Sequence, residues 1–440
     1  IKSSAASDVY KRQQVGHNRM VYYPQIKPER GITMKKLALV FSAALALTAC
    51  TTAPTETATV PAAAEAAATE ENADAEQFPV GELRLTTFDN TDGTALYSGF
   101  SSGNNTVWTV LRLDYATGVQ SKLCDLTFTD GLNMNCMITM GENEVAFCSD
   151  EDDTQHRYII VRPDGTTDDH TISRAFTPTV YDEYAAYEVN GTSCARLDLN
   201  TGEVTDFTAP LLQLAAVEGV VDNRLLVTRI VSDTPLPAEG EDEEMREAIL
   251  QNSLREYDLY DLATNTVEKL FDEPYYPEDG SSSWKTYEGC RGGTLYFVHT
   301  LWDKTTPDNT DNTLLAYDLA SGTWQELCTL TDKQGSWCPG FSKNGQLEYV
   351  LLWQSADTLT LYNLADGTTH DVPYQVPAGG QYGSGKNYGW PLDLTGDGRI
   401  LVTDGYAQQG GYATDGYALV DVDDYLAGST DYQPVQMWEE

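Results

Sequence analysis

An all-β fold built from repeated four-stranded units is what this sequence predicts, and three observations carry it. A short phrase recurs as Leu113-Asp-Tyr-Ala-Thr-Gly118, Leu197-Asp-Leu-Asn-Thr-Gly202, Tyr260-Asp-Leu-Ala-Thr-Asn265, Tyr317-Asp-Leu-Ala-Ser-Gly322 and Tyr362-Asn-Leu-Ala-Asp-Gly367. Weaker copies at Val161-Arg-Pro-Asp-Gly165 and Val420-Asp-Val-Asp-Asp424 make seven. Each phrase lies between alternating apolar and polar runs, the pattern of a hairpin whose turn is closed by an Asp side chain while Gly or Asn supplies positive φ. Second, Trp284, Trp337 and Trp390 stand 53 residues apart. Third, helical periodicity is nearly absent, with residues 243–254 the one good candidate.

Taken in order, the chain begins with a segment unlike the rest. Eight of the 27 Lys and Arg residues precede residue 50, opposed there only by Asp8 and Glu29. Residues 8–13 reverse-translate, on suitable codons, to the end of a transposon used in sequencing-library preparation. Residues 1–33 are therefore expected to be non-native upstream sequence.

At Met34 a second pattern starts, with Lys35-Lys36 followed by an uncharged Leu/Ala-rich run over 37–47. As a helix that run covers about 16 Å, too short for a bilayer core of roughly 30 Å but suited to a secretory signal. It ends in Leu47-Thr48-Ala49-Cys50, which resembles the bacterial lipoprotein processing box. The resemblance implies a signal peptide over 34–49, with Cys50 as the lipidated first residue of an outward-facing protein anchored to the bacterial cell membrane. An ordinary signal peptide with a chance Cys is the alternative. Residues 50–79 are dominated by Ala, Thr, Glu and Pro. Such a composition cannot offset chain entropy by burial, and a disordered tether is expected.

From residue 50 onward there are 19 basic and 65 acidic residues, a net charge of −46. That balance excludes a nucleic-acid binder, which needs clustered Lys and Arg, and excludes adsorption to an anionic membrane through a basic patch. Contact with a membrane is expected through the lipid anchor only, and the protein is expected to be monomeric. Seven cysteines follow Cys50, at 124, 136, 148, 194, 290, 328 and 338. An odd number with no Cys-x-x-Cys pair fits buried free thiols better than a disulfide framework or a zinc site.

The body over 80–440, shared among seven turn phrases, allots about 52 residues to each unit, the length of a four-stranded β-propeller blade. One unit parses into strands at 284–289, 295–300, 313–319 and 323–330. The units resemble bacterial propellers of the WD-repeat-like and TolB-type kind, in which an Asp-x-x-Thr/Asp-Gly turn joins the two outer strands. The resemblance implies a β-propeller of seven four-stranded blades over 80–440, and no chemistry. It departs from the family in lacking Gly-His and Trp-Asp signatures, and turn-to-turn spacing varies from 36 to 63, which keeps six or eight blades open. The innermost strand of the first blade is expected near 83–88, and Met437-Trp438 in the last outer strand.

Catalytic motifs are sparse. The four His after residue 50, His156, His170, His299 and His370, are not at ligand spacing, and no Gly-x-Ser-x-Gly elbow precedes a helix. Asp393, Thr395, Asp397 and Asp404 match positions 1, 3, 5 and 12 of an EF-hand-like calcium loop. The same stretch is also a good hairpin turn between strands, so calcium is the lesser expectation and no other cofactor is expected.

The turn phrases mark one face of the propeller, so the second-to-third strand loops and inter-blade connections emerge on the other. Stretches 150–156, 233–252, 303–312 and 408–416 are read as long loops there. The connections at 274–289 and 377–391 hold Tyr275, Tyr276, Trp284, Tyr287, Tyr382, Tyr388 and Trp390. Tyr and Trp in Gly/Ser-rich loops give large contact area at low entropic cost, which makes these seven the candidate ligand contacts. Inter-blade packing is the competing role, above all for Trp284 and Trp390. The functional expectation is a non-catalytic binding module for a glycan, peptide or envelope partner. A lyase or hydrolase acting on polysaccharide is the alternative.

Overall fold

The computed structural model describes residues 78–439, apart from 87–92, 102–106, 129–132, 141–143, 153–154, 191–192, 208–215, 238–241, 277–281, 303–309, 334–339, 344, 355–357, 374–387 and 410–411. Cys50 and the signal and tether segments up to residue 77 lie outside the described residues.

The repeated phrases form the turns expected of them. At Asp114 the carboxylate accepts from Thr117 N and Oγ1, both at 2.9 Å. Asp198, Asp261 and Asp318 likewise accept backbone N–H groups two or three residues on, and Asn363 does so with its side-chain oxygen. Gly118 follows at φ 65° and Asn265 at φ 54°, conformations open to Gly and tolerated by Asn. The copy at 420–424 does something else: Asp421 caps a short helix, Val422–Leu426.

These turns organise seven antiparallel sheets among the described residues. In chain order the first is β2 (Ala95–Ser101), β3 (Val107–Asp114) and β4 (Val119–Thr127). The second is β5 (Asn133–Met140), β6 (Glu144–Asp152), β7 (Gln155–Val161) and β8 (Thr167–Ile172). The third joins β9 (Val180–Tyr181), β10 (Ala185–Asn190), β11 (Ser193–Asp198) and β12 (Val204–Phe207), with β1 (Arg84–Leu85) paired to β9. The fourth is β13 (Ala216–Val221), β14 (Arg224–Val231), β15 (Leu254–Asp261) and β16 (Thr266–Pro274). The fifth is β17 (Ser282–Arg291), β18 (Thr294–Trp302), β19 (Thr310–Asp318) and β20 (Thr323–Lys333). The sixth is β21 (Gly340–Lys343), β22 (Gln346–Gln354), β23 (Thr358–Asn363) and β24 (Thr368–Pro373). The seventh is β25 (Tyr388–Leu394), β26 (Arg399–Gln409), β27 (Tyr412–Asp421) and β28 (Gln433–Pro434).

This is a β-propeller, with one correction to its count. Six sheets form complete blades, five of four strands and the third of four with β1 added, not the expected seven; the first sheet has three strands. The expected first inner strand went elsewhere. Arg84 and Leu85 pair with Tyr181 and Val180 of the third sheet, and Leu83 is buried between the third and fourth sheets with Val180, Tyr187 and Leu225. Burial of Leu83 and backbone bonds to Asp182 and Asn223 hold this segment there. The chain end is also corrected. The last outer strand is Gln433–Pro434, whereas Gln436 bridges to Val119 and Trp438 N donates to Gln120 Oε1 at 3.1 Å, both in the first sheet.

Among the described residues seven apolar clusters lie between successive sheets, and the seventh, with Leu96, Leu113, Leu401 and Leu419, joins the last sheet to the first. Strand alternation builds them: on β14, Leu225 and Val227 face the third sheet while Leu226 faces the fifth. Each buried Leu or Val contributes about 1.5–3 kcal/mol.

The loop estimates need correction too. Residues 150–156 and 408–416 are mostly strand, in β6–β7 and β26–β27. The stretch 233–252 holds the helix expected there, α1 (Glu243–Leu250), capped by Asp242 accepting from Met245 N. It ends earlier than the periodicity suggested, because Leu254 already begins β15. Cys124, Cys290 and Cys328 are free thiols, and Cys136 and Cys148 are register partners across β5 and β6. No helix among the described residues is long and apolar enough to cross a membrane.

Candidate functional site

The fourth and fifth sheets bring a mixed group of aromatic and titratable side chains to one place. The repeated turns join third and fourth strands, so the end of β16, the start of β17 and the start of β15 all lie toward the opposite face. There Tyr275 and Tyr276 meet edge to face, with centroids 4.9 Å apart at 85°. Tyr275 N donates to Ser253 O at 2.9 Å, pinning the end of β16 beside the exit of α1. The Arg255 guanidinium lies 5.1 Å from the centroid of the Tyr275 ring. Tyr276 donates its hydroxyl proton to Glu247 Oε2 on α1 at 3.2 Å, and burial, then Glu247, raise its pKa. The acidic insertion around α1, with Glu243, Glu244 and Glu247, thus borders this corner.

Beneath the tyrosines lies a charged floor. Arg255 on β15 and Lys285 on β17 both pair with Glu273 on β16, the Arg255 contact at 3.6 Å. Tyr257 donates to the same carboxylate at 3.4 Å, and burial pushes its phenol up to about 12. His299 faces Lys285 across the β17–β18 ladder, and burial, then Lys285, lower its pKa. Burial, then Arg255, push the Lys285 ammonium down to about 8, while its contact with Glu273 acts in the opposite sense. Glu218 on β13 accepts from Thr228 Oγ1 at 2.8 Å, and burial raises its pKa. Five strands therefore deliver one carboxylate shared by two cations, with a carboxyl and an imidazole at its edge. Such a group can bind a charged ligand or exchange a proton.

The other expected contacts divide. Tyr287 packs between the fourth and fifth sheets, its ring 5.6 Å from that of Phe297 and against Gly219, where any Cβ would collide with it. It is a packing residue. Trp284 is 36% exposed and, by alternation with Lys285, lies on the face of the fifth sheet turned from the fourth. Trp390 packs against the cluster between the sixth and seventh sheets. Tyr388 opens β25 opposite Asp404, and Tyr382 lies outside the described residues.

The calcium-loop positions form the β25–β26 turn. Asp393 accepts from Tyr115 and Gly93, while Asp397 accepts from Thr395 Oγ1 at 2.5 Å and pairs with Arg399. Asp404 lies beyond, on β26. No group of three His, Cys, Asp or Glu suited to a metal occurs among the described residues.

Arg255, Glu273, Lys285 and His299 are functional candidates that sequence reading missed. Their signal was present but faint: charged residues inside strand-patterned stretches, spread over 45 positions of sequence with no fixed spacing.

No family model matches this chain, and no curated protein does. Among solved structures, oligopeptidase B from Leishmania major is similar at 12% identity and a TM-score of 0.39, over 81% of this chain and 48% of that one. The chain thus spans about half the length of oligopeptidase B. A 6-phosphogluconolactonase-like structure from Bacteroides fragilis is similar at 15% identity and TM-score 0.36, over 78% of this chain and 96% of that one. Dipeptidyl peptidase 4 from Porphyromonas gingivalis is similar at 10% identity and TM-score 0.33, covering 75% and 56%.

Proposed function

We propose that this chain is a lipid-anchored, outward-facing β-propeller of the bacterial envelope that binds a glycan, peptide or envelope partner on the face opposite its repeated turns. The observation that carries the reading is the Tyr275–Tyr276 pair, held in place by Arg255, Glu247 and Ser253 at one corner of that face. Two fixed aromatic rings beside charged groups offer stacking area at little entropic cost. Anchoring through Cys50 rests on the Leu47-Thr48-Ala49-Cys50 box and the preceding Lys-Lys and apolar runs.

Binding of the full chain to glycan and peptide arrays tests the first part. Tyr275→Ala with Tyr276→Ala should abolish whatever binding the unaltered chain shows; undiminished binding refutes the reading. For the anchor, Cys50→Ala should move the protein out of the membrane fraction of an export-competent host, and continued retention would count against it.

A second reading, an enzyme acting on polysaccharide, is favoured by Lys285, Glu273 and His299 standing together. Cleavage of glycans by the full chain, lost in Lys285→Met, would replace the binding reading.

A further inference from the structure

The charge of this corner runs against that of the molecule. Over the whole chain acidic residues outnumber basic ones by 67 to 27, yet at the floor beneath Tyr275 two cations share Glu273. Two further acids stand at the margin, Glu247 engaged by the Tyr276 hydroxyl and Glu218 engaged by Thr228. Burial moves Glu218 toward its neutral carboxyl and His299 toward its neutral imidazole, and Tyr257 is held as a phenol. Two cations thus meet one shared carboxylate in a half-buried place, where an incompletely matched cation is costly.

Arg255 is the less committed of the two cations. Its contact with Glu273 at 3.6 Å is longer than a hydrogen bond, so the fork of N–H donors is not spent on that carboxylate. The side chains of Arg255 and Lys285 are 22% and 15% exposed, open in part toward the face that carries Tyr275 and Tyr276. Exposed acids elsewhere on the chain act weakly here, since charges separated through solvent by more than about 8 Å are largely screened at physiological salt.

We propose that this junction binds the carboxylate of a uronate-containing glycan, with Arg255 and Lys285 as its cationic contacts and the Tyr275–Tyr276 pair as the wall against which the sugar ring lies. The proposal rests on the binding role of this face and narrows its ligand. The incoming carboxylate pairs with Arg255 and Lys285, which otherwise share Glu273, while a neutral sugar gains only the aromatic wall. A global count of charge points the other way, toward neutral or cationic ligands; the local arrangement of five strands reverses it.

Polygalacturonate and its methyl ester are the probes, since they share a sugar backbone and differ in carboxylate charge. Titrated with the full chain, polygalacturonate should bind at least about tenfold more tightly than the ester, and raised salt should weaken it. Arg255→Gln should lower polygalacturonate affinity about tenfold and leave the ester unaffected, with Glu273 still paired to Lys285 in the variant. Lys285→Met serves as a second variant with the same expectation, and unchanged melting of either confirms that it is folded. Equal affinity for acid and ester, or an Arg255→Gln variant that binds polygalacturonate as well as the unaltered chain, overturns the carboxylate assignment while leaving the face free to bind neutral glycans. Peptide binding at Tyr275 and Tyr276 with no glycan binding overturns it as well. Glycan binding that survives removal of both tyrosines defeats the underlying reading instead.

Discussion

Tyr115 and Asp393 join the two ends of the ring: the Tyr115 hydroxyl donates to Asp393 Oδ2 at 2.9 Å, and the same oxygen accepts from Gly93 N at 3.1 Å. Tyr115 lies in the repeated turn of the first sheet and Asp393 on the inner strand of the seventh. The bridge from Gln436 to Val119 adds a second tie across the same seam. Closure thus uses side-chain and chain-end contacts where the first sheet has three strands among the described residues.

Asp393→Ala removes both contacts and should lower stability by about 1–3 kcal/mol, read as a shift of the denaturation midpoint. Asp393→Asn keeps an acceptor and should recover part of that loss. A chelator should leave the melting temperature unchanged, because Asp393 and Asp397 are already engaged by protein donors; a fall on adding chelator would restore a metal role to this turn.

The N-terminal segment behaves as part of the core between the third and fourth sheets. Leu83 is buried there, and its N–H donates to Asn223 Oδ1 at 2.6 Å. Leu83→Ala should cost about 2–5 kcal/mol, as buried Leu truncations do. A cost near zero would mean that the segment is a removable strap.

Aromatic truncations should separate packing from binding. Tyr287→Ala empties a site between two sheets and should cost about 3–5 kcal/mol. Tyr275→Ala and Tyr276→Ala, on half-exposed rings at the sheet end, should each cost about 1 kcal/mol or less. Comparable losses at all three positions would show that the pair is core.

Asp258 supplies a pH signature. It is fully buried, pairs with Arg229 at 2.7 Å, and has one carboxylate oxygen without a hydrogen-bond partner. Burial, opposed by Arg229, pushes its pKa up to about 6. The folded state then holds a proton that the unfolded state has released between about pH 4 and pH 6, so this group's contribution falls as pH rises through that window and is flat above it. The amplitude is of order 2–3 kcal/mol. Asp258→Asn should flatten the difference between stabilities measured at pH 4.5 and pH 7; an unaltered difference would contradict the assignment.

How much was legible beforehand depends on the range of the interaction. The turn at Asp114–Gly118 was readable because carboxylate, acceptor geometry and positive φ lie within five consecutive residues. The strands around it were readable because side chains alternate with a period of two. Neither signal contains the partner of a strand. Arg84 and Leu85 read equally well as an inner strand of the first sheet; pairing with Tyr181 and Val180 and burial of Leu83 against Leu225 decided otherwise.

The sequence alone determined the class of fold, the repeated hairpins, the acidic character and the place of the one helix of the acidic insertion, since each depends on near neighbours or on composition. Tertiary structure alone decided the number of complete blades, the crossing of both chain ends, and the meeting of Arg255, Glu273, Lys285 and His299. Those outcomes depend on which strands lie side by side. That is settled by burial and backbone pairing between segments many residues apart, for which a linear pattern holds no record.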